Sequence, residues 1–222
     1  MIELKNITKI YNTNTNNTTT ALQNITMDIK KGEFVILKGS SGSGKSTILS
    51  LIAALLKPTS GDLLVDTKQV SKLNDNFASE FRRDNVGFVF QKFNLVTELT
   101  VKENILLPLV PLHLSQIQMQ KKLDIVMQKF KISHKADAIV KNLSGGEQQR
   151  VAIARANINN PKIILADEPT ANLDKELSLH FIEILRELKN EGKTIVVATH
   201  DPLFFHLDFV DKEIELEKGL LV

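Results

Sequence analysis

The sequence predicts an α/β fold built on a mostly parallel β-sheet. Three short runs rich in apolar residues, Phe34–Leu37, Ile163–Ala166 and Thr194–Thr199, are typical of strands buried on both faces. Between the last two runs, apolar residues recur at helical spacing, namely Leu177, Phe181, Ile184, Leu185 and Leu188. A strand, a helix and a second strand in this order indicate a right-handed crossover between parallel strands.

The N-terminal region predicts two further strands, which we expect to form an antiparallel β part of the fold. Ile2–Ile7 alternates apolar and polar residues, and Ile25, Met27 and Ile29 alternate in the same way. Between these segments, Asn12–Thr20 consists only of Asn and Thr. Because such a tract offers no apolar face, we expect a surface loop of low order.

Three other segments complete the predicted core. Ile48–Leu56 is apolar nearly all round, which indicates a buried helix. Val86–Phe90 predicts a short strand, and Lys212–Leu220 alternates around Lys218-Gly219 and predicts a hairpin at the edge of the sheet.

A helical segment interrupts this core. From about Val101 to Ala156 the pattern is helical, and Ser115 followed by Gln118 forms a capping box for a helix that runs to about Phe130. We therefore interpret the chain as one domain, 1–222, with an α/β core at 1–91 and 157–222 and an inserted all-helical subdomain at about 92–156.

Composition excludes several classes of protein. The 222 residues include 42% hydrophobic residues, enough for a sizeable core, and the net charge of +2 argues against a nucleic-acid partner. The absence of Cys rules out disulfides and thiolate metal sites. Met1–Asn6 lacks a secretory signal, and no apolar run is long enough to span a bilayer. We expect a soluble chain that reaches a membrane only through another protein.

A glycine-rich segment predicts a phosphate-binding loop between a strand and a helix. Its nine residues are Gly39, Ser40, Ser41, Gly42, Ser43, Gly44, Lys45, Ser46 and Thr47. Glycines allow backbone N–H groups to wrap phosphates, and the following helix N-terminus adds positive potential. We expect Lys45 to reach the β- and γ-phosphates and Ser46 to supply a hydroxyl to Mg²⁺. The alternative is a strand–helix turn without a ligand.

Polar residues follow three other predicted strands, at the sheet edge where open α/β folds bind their ligands. Asp167 is a candidate Mg²⁺ ligand, through water, and Glu168 a candidate general base. His200 is a candidate to contact the γ-phosphate and orient the attacking water. Gln91 can ligate Mg²⁺ or hold the water with a neutral amide.

Two more features admit two interpretations each. Ser144-Gly145-Gly146 precedes a helix predicted at Glu147–Ala156, so it forms either a second anion-binding surface or an ordinary helix cap. Tyr11, the only tyrosine, either stacks on adenine or serves as a structural aromatic residue.

Taken in order, these motifs resemble the nucleotide-binding domains of ATP-binding cassette (ABC) transporters over essentially the whole chain. The matching segments are Gly39–Thr47 for Walker A, Gln91 for the Q-loop, Leu143–Gln148 for the signature, Ile163–Glu168 for Walker B, Asn172–Asp174 for the D-loop, His200 for the switch histidine and Tyr11 for the adenine-stacking aromatic. The resemblance implies a P-loop NTPase core that uses ATP and Mg²⁺.

A finer resemblance concerns one branch of that family. Val86–Leu95, Leu99–Ile105 and Leu165–Asp174 are similar to the branch of macrolide exporters, lipoprotein-release ATPases, antimicrobial-peptide resistance ATPases and the cell-division cassette. Ala171 departs from the Gly that is commoner there. The branch implies a permease with a large extracytoplasmic domain, in a system of the export or mechanotransmission type.

The resemblance also implies a mechanism and partners. Two protomers would pack head to tail, so that each ATP is held by Walker A of one protomer and by Ser144, Gly145 and Gly146 of the other, with Asp174 also at the nucleotide site. The helical insertion would dock the permease, and the chain would lie at the cytoplasmic face of the cell membrane.

The permease contact is expected within Phe93–Leu114, where apolar residues and two prolines suit a groove for a partner helix. An ordinary packed junction between core and insertion is the alternative there. Other functions considered are a soluble ABC-type ATPase uncoupled from transport and the ATPase of a cell-division complex. A GTPase switch is disfavoured, because the chain has no Asn-Lys-x-Asp segment. The cargo is not specified by this chain.

Overall fold

The computed structural model describes residues 1–12 and 18–222. In chain order, the strands within these ranges are β1 Ile2–Tyr11, β2 Thr19–Ile29, β3 Phe34–Lys38, β4 Ser60–Val65, β5 Lys68–Gln69, β6 Val86–Val89, β7 Ile163–Asp167, β8 Thr194–Ala198, β9 Lys212–Glu217 and β10 Leu220–Leu221. The α-helices are α1 Lys45–Ile52, α2 Asp75–Asn85, α3 Val101–Leu106, α4 Gln116–Lys129, α5 Gly145–Asn157 and α6 Lys175–Asn190.

Two β-sheets form the core, and they confirm the predicted α/β fold class. The larger sheet has the order β10-β9-β3-β8-β7-β6, and every pairing in it is parallel except that of β10 with β9. The smaller sheet has the order β2-β1-β4-β5 and is antiparallel. An N-terminal antiparallel part beside a mostly parallel sheet therefore matches the prediction.

The larger sheet lies between two apolar clusters. Phe34 and Ile36 of β3 face one cluster, which contains the helices after β6 as well as α6, whereas Val35 and Leu37 face the other, which includes α1 and the smaller sheet. Both faces of β3 are fully buried. This burial explains why its sequence is a continuous apolar run rather than an alternating pattern.

The segment between β6 and β7 contains α3, α4 and α5. All three helices begin with capping boxes, in which Thr100 bonds with Glu103, Ser115 with Gln118 and Ser144 with Glu147. The predicted helix start at Ser115 is therefore confirmed. The division of the chain into 1–91 with 157–222 and 92–156 stays an interpretation.

Across the residues with described placement, no helix is long and apolar enough to cross a membrane.

Several predicted boundaries were wrong. The helix predicted at Ile48–Leu56 begins at Lys45 and ends at Ile52, and Ala54 beyond it has a positive φ of 53°. Part of the predicted loop Asn12–Thr20 lies outside the described residues, but β2 already begins at Thr19, where β1 pairs with it. Helix α2 and the β4–β5 pair were not predicted.

Candidate nucleotide site

The predicted phosphate loop connects β3 to α1. Gly39 has a φ of 148°, and a Cβ on it would lie 2.2 Å from the carbonyl oxygen of Leu216, so no other residue fits there without displacement of the backbone. Ser40, Ser41 and Gly42 are exposed. Lys45, Ser46 and Thr47 already form the first turn of α1. The loop thus presents its backbone to solvent at the carboxyl edge of the sheet.

Lys45 is enclosed by this loop. Its Nζ donates hydrogen bonds to the carbonyl oxygens of Gly39 at 2.7 Å and Ser40 at 3.0 Å, and its side chain is 5% exposed. The same nitrogen lies 3.5 Å from Oε1 of Glu168. The structure therefore brings the predicted phosphate-binding ammonium and the predicted general base together.

Ser46 and Asp167 also meet. The Ser46 hydroxyl donates a 2.8 Å hydrogen bond to Oδ1 of Asp167, the last residue of β7. Burial raises the pKa of Asp167 above its ordinary value, the nearby Glu168 adds to the increase, and the Ser46 bond and Lys45 oppose it. One hydroxyl and one carboxylate oxygen suit Mg²⁺, which keeps several waters and takes few protein ligands.

Glu168 and His200 form a close pair. Oε1 of Glu168 lies 2.9 Å from Nδ1 of His200, and the main-chain N–H of His200 donates to Oε2 at 3.3 Å. Glu168 has a positive φ of 42°, and its N–H donates to the carbonyl of Ala198 at 2.8 Å. This unusual backbone conformation at the end of β7 aims the carboxylate toward the end of β8.

Gln91 was also predicted at this edge of the sheet. Among the hydrogen bonds of the described residues, only its backbone carbonyl links Gln91 to that edge. Its carbonyl accepts a 3.1 Å bond from Nδ2 of Asn172, while its exposed side chain makes no bond to Ser46 or Asp167. The predicted role of Gln91 toward Mg²⁺ or water stays a prediction.

Ser144 caps α5, so the helix-cap interpretation of this segment holds in the protomer. Its hydroxyl and N–H bond with Glu147 in a capping box, and the Ser144 N–H holds the pKa of Glu147 below its ordinary value, helped by Lys135. Gly145 is exposed, whereas a Cβ on Gly146 would lie 2.7 Å from Leu177. An anion-binding role for the segment stays a prediction.

Two remaining predicted residues have local partners. Tyr11 ends β1 opposite Thr19, and the ammonium of Lys9 lies 5.2 Å from the centre of its ring. Asp174 caps α6, because its Oδ1 accepts a 2.9 Å bond from the N–H of Leu177. Adenine stacking by Tyr11 and nucleotide contact by Asp174 are left as predictions.

Sequence reasoning missed Gln149 and Arg155, both on α5. Gln149 is buried, and its Nε2 donates a 3.0 Å bond to the carbonyl of Pro169, directly after Glu168. The Arg155 guanidinium donates to the carbonyls of Phe93 and Asn94, and burial lowers its pKa. The signal for them that was available in the sequence is a polar residue on the apolar side of the helix predicted at Glu147–Ala156. Through these bonds α5 holds the loops that follow β6 and β7.

Comparison with known proteins identifies relatives of this arrangement. A family profile described as ABC transporter matches residues 22–171. The ABC transporter ATP-binding protein MJ0796 of Methanocaldococcus jannaschii is 44% identical over 206 residues, covering 90% of this chain and 87% of the relative. The macrolide export ATP-binding/permease protein MacB of Campylobacter jejuni is 43% identical over 202 residues, covering 91% of this chain but only 31% of the longer relative.

Solved structures show the same fold. A dimeric structure of MJ0796 bound to ADP and phosphate, in a post-hydrolysis state, superposes with a TM-score of 0.91 at 42% identity, covering 100% of this chain and 96% of that one. The structure of cbiO1 from Clostridium perfringens, part of the ABC transporter complex cbiONQ, has a TM-score of 0.86 at 30% identity, covering 100% and 86%.

Proposed function

Because the chain belongs to the ABC transporter ATP-binding family, we propose that it hydrolyses ATP to drive a membrane permease of the export or mechanotransmission type. The observation that carries this proposal is the position of Glu168. Its Oε1 lies 3.5 Å from the ammonium of Lys45 and 2.9 Å from Nδ1 of His200. A base beside a phosphate-binding cation and a second orienting group is the arrangement that hydrolysis of a phosphoanhydride requires.

Each residue has a stated role in this proposal. Lys45 binds the β- and γ-phosphates, Glu168 accepts a proton from the attacking water, and His200 holds that water against the γ-phosphate. Mg²⁺, when bound, neutralises phosphate charge, and Ser46 and Asp167 would hold it, with Gln91 as a further ligand.

Dimerisation is part of the proposed mechanism. Ser144, Gly145 and Gly146 of one protomer contact the ATP held by the phosphate loop of the other, with Asp174 near the same interface. Support comes from the exposed Gly145 at the N-terminus of α5, where backbone N–H groups and the helix dipole favour an anion, and from the dimeric state of MJ0796.

The permease contact is proposed within Phe93–Leu114. Part of this stretch is core, but Val96, Leu107 and Val110 are exposed at 45%, 38% and 68%. A cavity of about 280 Å³ lies beside it, with a lining that includes Arg82, Phe88, Phe90, Asn94, Pro108 and Arg155. Exposed apolar residues next to a cavity suit a partner helix, and the relative MacB contains a permease in its own chain. We place the chain at the cytoplasmic face of the membrane, held there by a permease with an extracytoplasmic domain.

The test is Glu168→Gln, with the exposed Glu80→Gln as the control. Loss of a general base should lower phosphate release by about a hundredfold or more, while ATP binding persists. The same variant should elute as a dimer in ATP during gel filtration, and the control should behave like the unchanged chain. A Glu168→Gln variant that stays monomeric in saturating ATP would contradict the head-to-tail dimer.

A further inference from the structure

The phosphate loop rests on the C-terminal hairpin of β9 and β10. The main-chain N–H of Gly219, in the turn of that hairpin, donates a 3.0 Å hydrogen bond to the carbonyl of Ser43. At the start of the loop, Gly39 approaches the carbonyl of Leu216 so closely that a Cβ would lie 2.2 Å from it. The hairpin therefore contacts the loop at two points.

The same glycine also binds strand β2. The carbonyl of Gly219 accepts a 2.9 Å bond from the N–H of Gln23. The loop contacts this strand directly as well, since a Cβ on Gly44 would lie 2.6 Å from Cδ2 of Leu22. We call this three-way contact of Ala21–Gln23, Ser43–Gly44 and Gly219 the Gly219 junction.

The Gly219 junction restricts the backbone of the glycine-rich loop. Such a loop has a large conformational entropy to lose, so it binds phosphates well only where its surroundings hold it in place. Inside the loop, Lys45 bonds to the carbonyls of Gly39 and Ser40. The carbonyl of Ser43 is held from outside by Gly219. Because β2 pairs with β1 at Tyr11, Gly219 also joins the loop to the strand pair that carries the predicted adenine contact.

We infer that Gly219 is a positioning residue for nucleotide binding, which holds the phosphate loop through Ser43 and the β1–β2 pair through Gln23. This inference rests on the proposed function. Gly219 has a φ of +82°, and a Cβ on it would lie 2.7 Å from the carbonyl oxygen of Ala21. A side chain at 219 would therefore push the hairpin turn away from the backbone of β2, and with it the N–H of Gly219 that holds the Ser43 carbonyl.

The chain offers a matched control for Gly219→Ala. Gly192 has a φ of +84°, but a Cβ there meets nothing within 4 Å. Gly192→Ala therefore introduces the same backbone strain without the collision, so Gly219→Ala should lose more stability in urea than Gly192→Ala, and MgATP binding is compared under conditions in which both variants are folded. Gly219→Ala alone should weaken MgATP binding, measured by titration of a fluorescent ATP analogue, by about tenfold or more. Its KM for ATP should rise while kcat changes by less than about twofold, because Gly219 lies outside the reacting groups.

The outcomes separate the two proposals. Equal MgATP affinity in the two alanine variants overturns the role of Gly219 alone, whereas an unchanged chain that binds no MgATP overturns the proposed function and this inference with it. Should Gly219→Ala fail to fold, hydrogen exchange of the unchanged chain decides. MgATP should slow exchange of the Gly219 and Gln23 amides and leave the Gly192 amide unaffected, and unchanged exchange at Gly219 overturns the inference.

Discussion

The ammonium of Lys45 and the carboxylate of Glu168 lie 3.5 Å apart, with side chains that are only 5% and 13% exposed. In this state the proposed phosphate ligand and the proposed base partly neutralise each other. In the proposed mechanism, nucleotide phosphates would compete with Glu168 for the same ammonium, so binding of ATP would also release the base. On that proposal, the pair links substrate binding to the availability of Glu168.

Lys45→Ala should weaken ATP binding by about tenfold to a hundredfold, because charge-assisted hydrogen bonds to the phosphates are lost. Isothermal titration calorimetry measures this change. Lys121→Ala, on the exposed surface of α4, is the control and should bind as the unchanged chain does. Normal ATP affinity in Lys45→Ala would contradict its assignment to the phosphates.

Asp167 predicts a pH dependence of stability. Its pKa is raised by burial above the ordinary 3.8, so the folded state binds its proton more tightly than the unfolded state. The contribution of Asp167 to the unfolding free energy is therefore present below pH 3.8 and is lost as the pH rises through the folded pKa. Asp167→Asn should abolish this decrease of the unfolding free energy with rising pH, because an amide does not titrate.

Urea unfolding across a pH series measures the effect as the difference between Asp167→Asn and the unchanged chain. Glu147→Gln provides a control of opposite sign. The pKa of Glu147 is lowered, chiefly by the Ser144 N–H, so its contribution is present above its ordinary pKa and lost as the pH falls. If the unfolding free energy of Asp167→Asn and of the unchanged chain varied with pH in parallel, burial of Asp167 would have no energetic effect.

Ser43→Ala should stabilise the protein. The Ser43 hydroxyl is buried and has no hydrogen-bond partner among the described residues. Removal of an unsatisfied buried hydroxyl should increase the unfolding free energy by about 1 kcal/mol, as urea denaturation would show. ATP affinity should persist, since Gly219 holds the carbonyl of Ser43 and not its side chain. A large loss of ATP affinity would instead assign the hydroxyl to the nucleotide.

Gln149→Leu should destabilise the link between α5 and the end of β7. The substitution keeps the side chain's bulk but leaves the buried carbonyl of Pro169 without its donor, at a cost of about 1–3 kcal/mol in unfolding free energy. Gln120→Leu, on the exposed side of α4, should change it by less than about 0.5 kcal/mol. Chemical denaturation compares the two variants, and equal effects would show that the Gln149 bond is dispensable.

Val110→Glu should reduce recovery of a polytopic membrane partner with the tagged chain by about tenfold, because a charge replaces apolar contact at the proposed permease surface. Basal ATPase activity should not change, since Val110 is 68% exposed and is not one of the residues proposed to bind nucleotide. Ile117→Glu is the control, because Ile117 is exposed but lies outside Phe93–Leu114. Equal recovery of the partner by both variants would remove Val110 from the interface.

Local signals explain which elements could be predicted. The capping box at Ser115 and Gln118 defines a helix start in the sequence itself, and the structure has that start. Helix α2 lacks a comparable apolar stripe, because only Ala78, Phe81 and Asn85 of its residues are buried. Apart from Phe77, which is 59% exposed, its other residues are polar or charged, so periodicity gave too weak a pattern to identify it.

The order of motifs along the chain by itself determined the fold class and the edge of the sheet at which the site lies. The physical reason is that the carboxyl ends of parallel strands meet at one edge, so residues that follow β3, β7 and β8 must converge. Only the tertiary structure decided which groups touch. The positive φ of Glu168 directs its carboxylate to Lys45 and His200, and strand pairing brings Gly219 beneath a loop from the opposite end of the chain. Such contacts depend on backbone conformation and strand order, which no local pattern specifies.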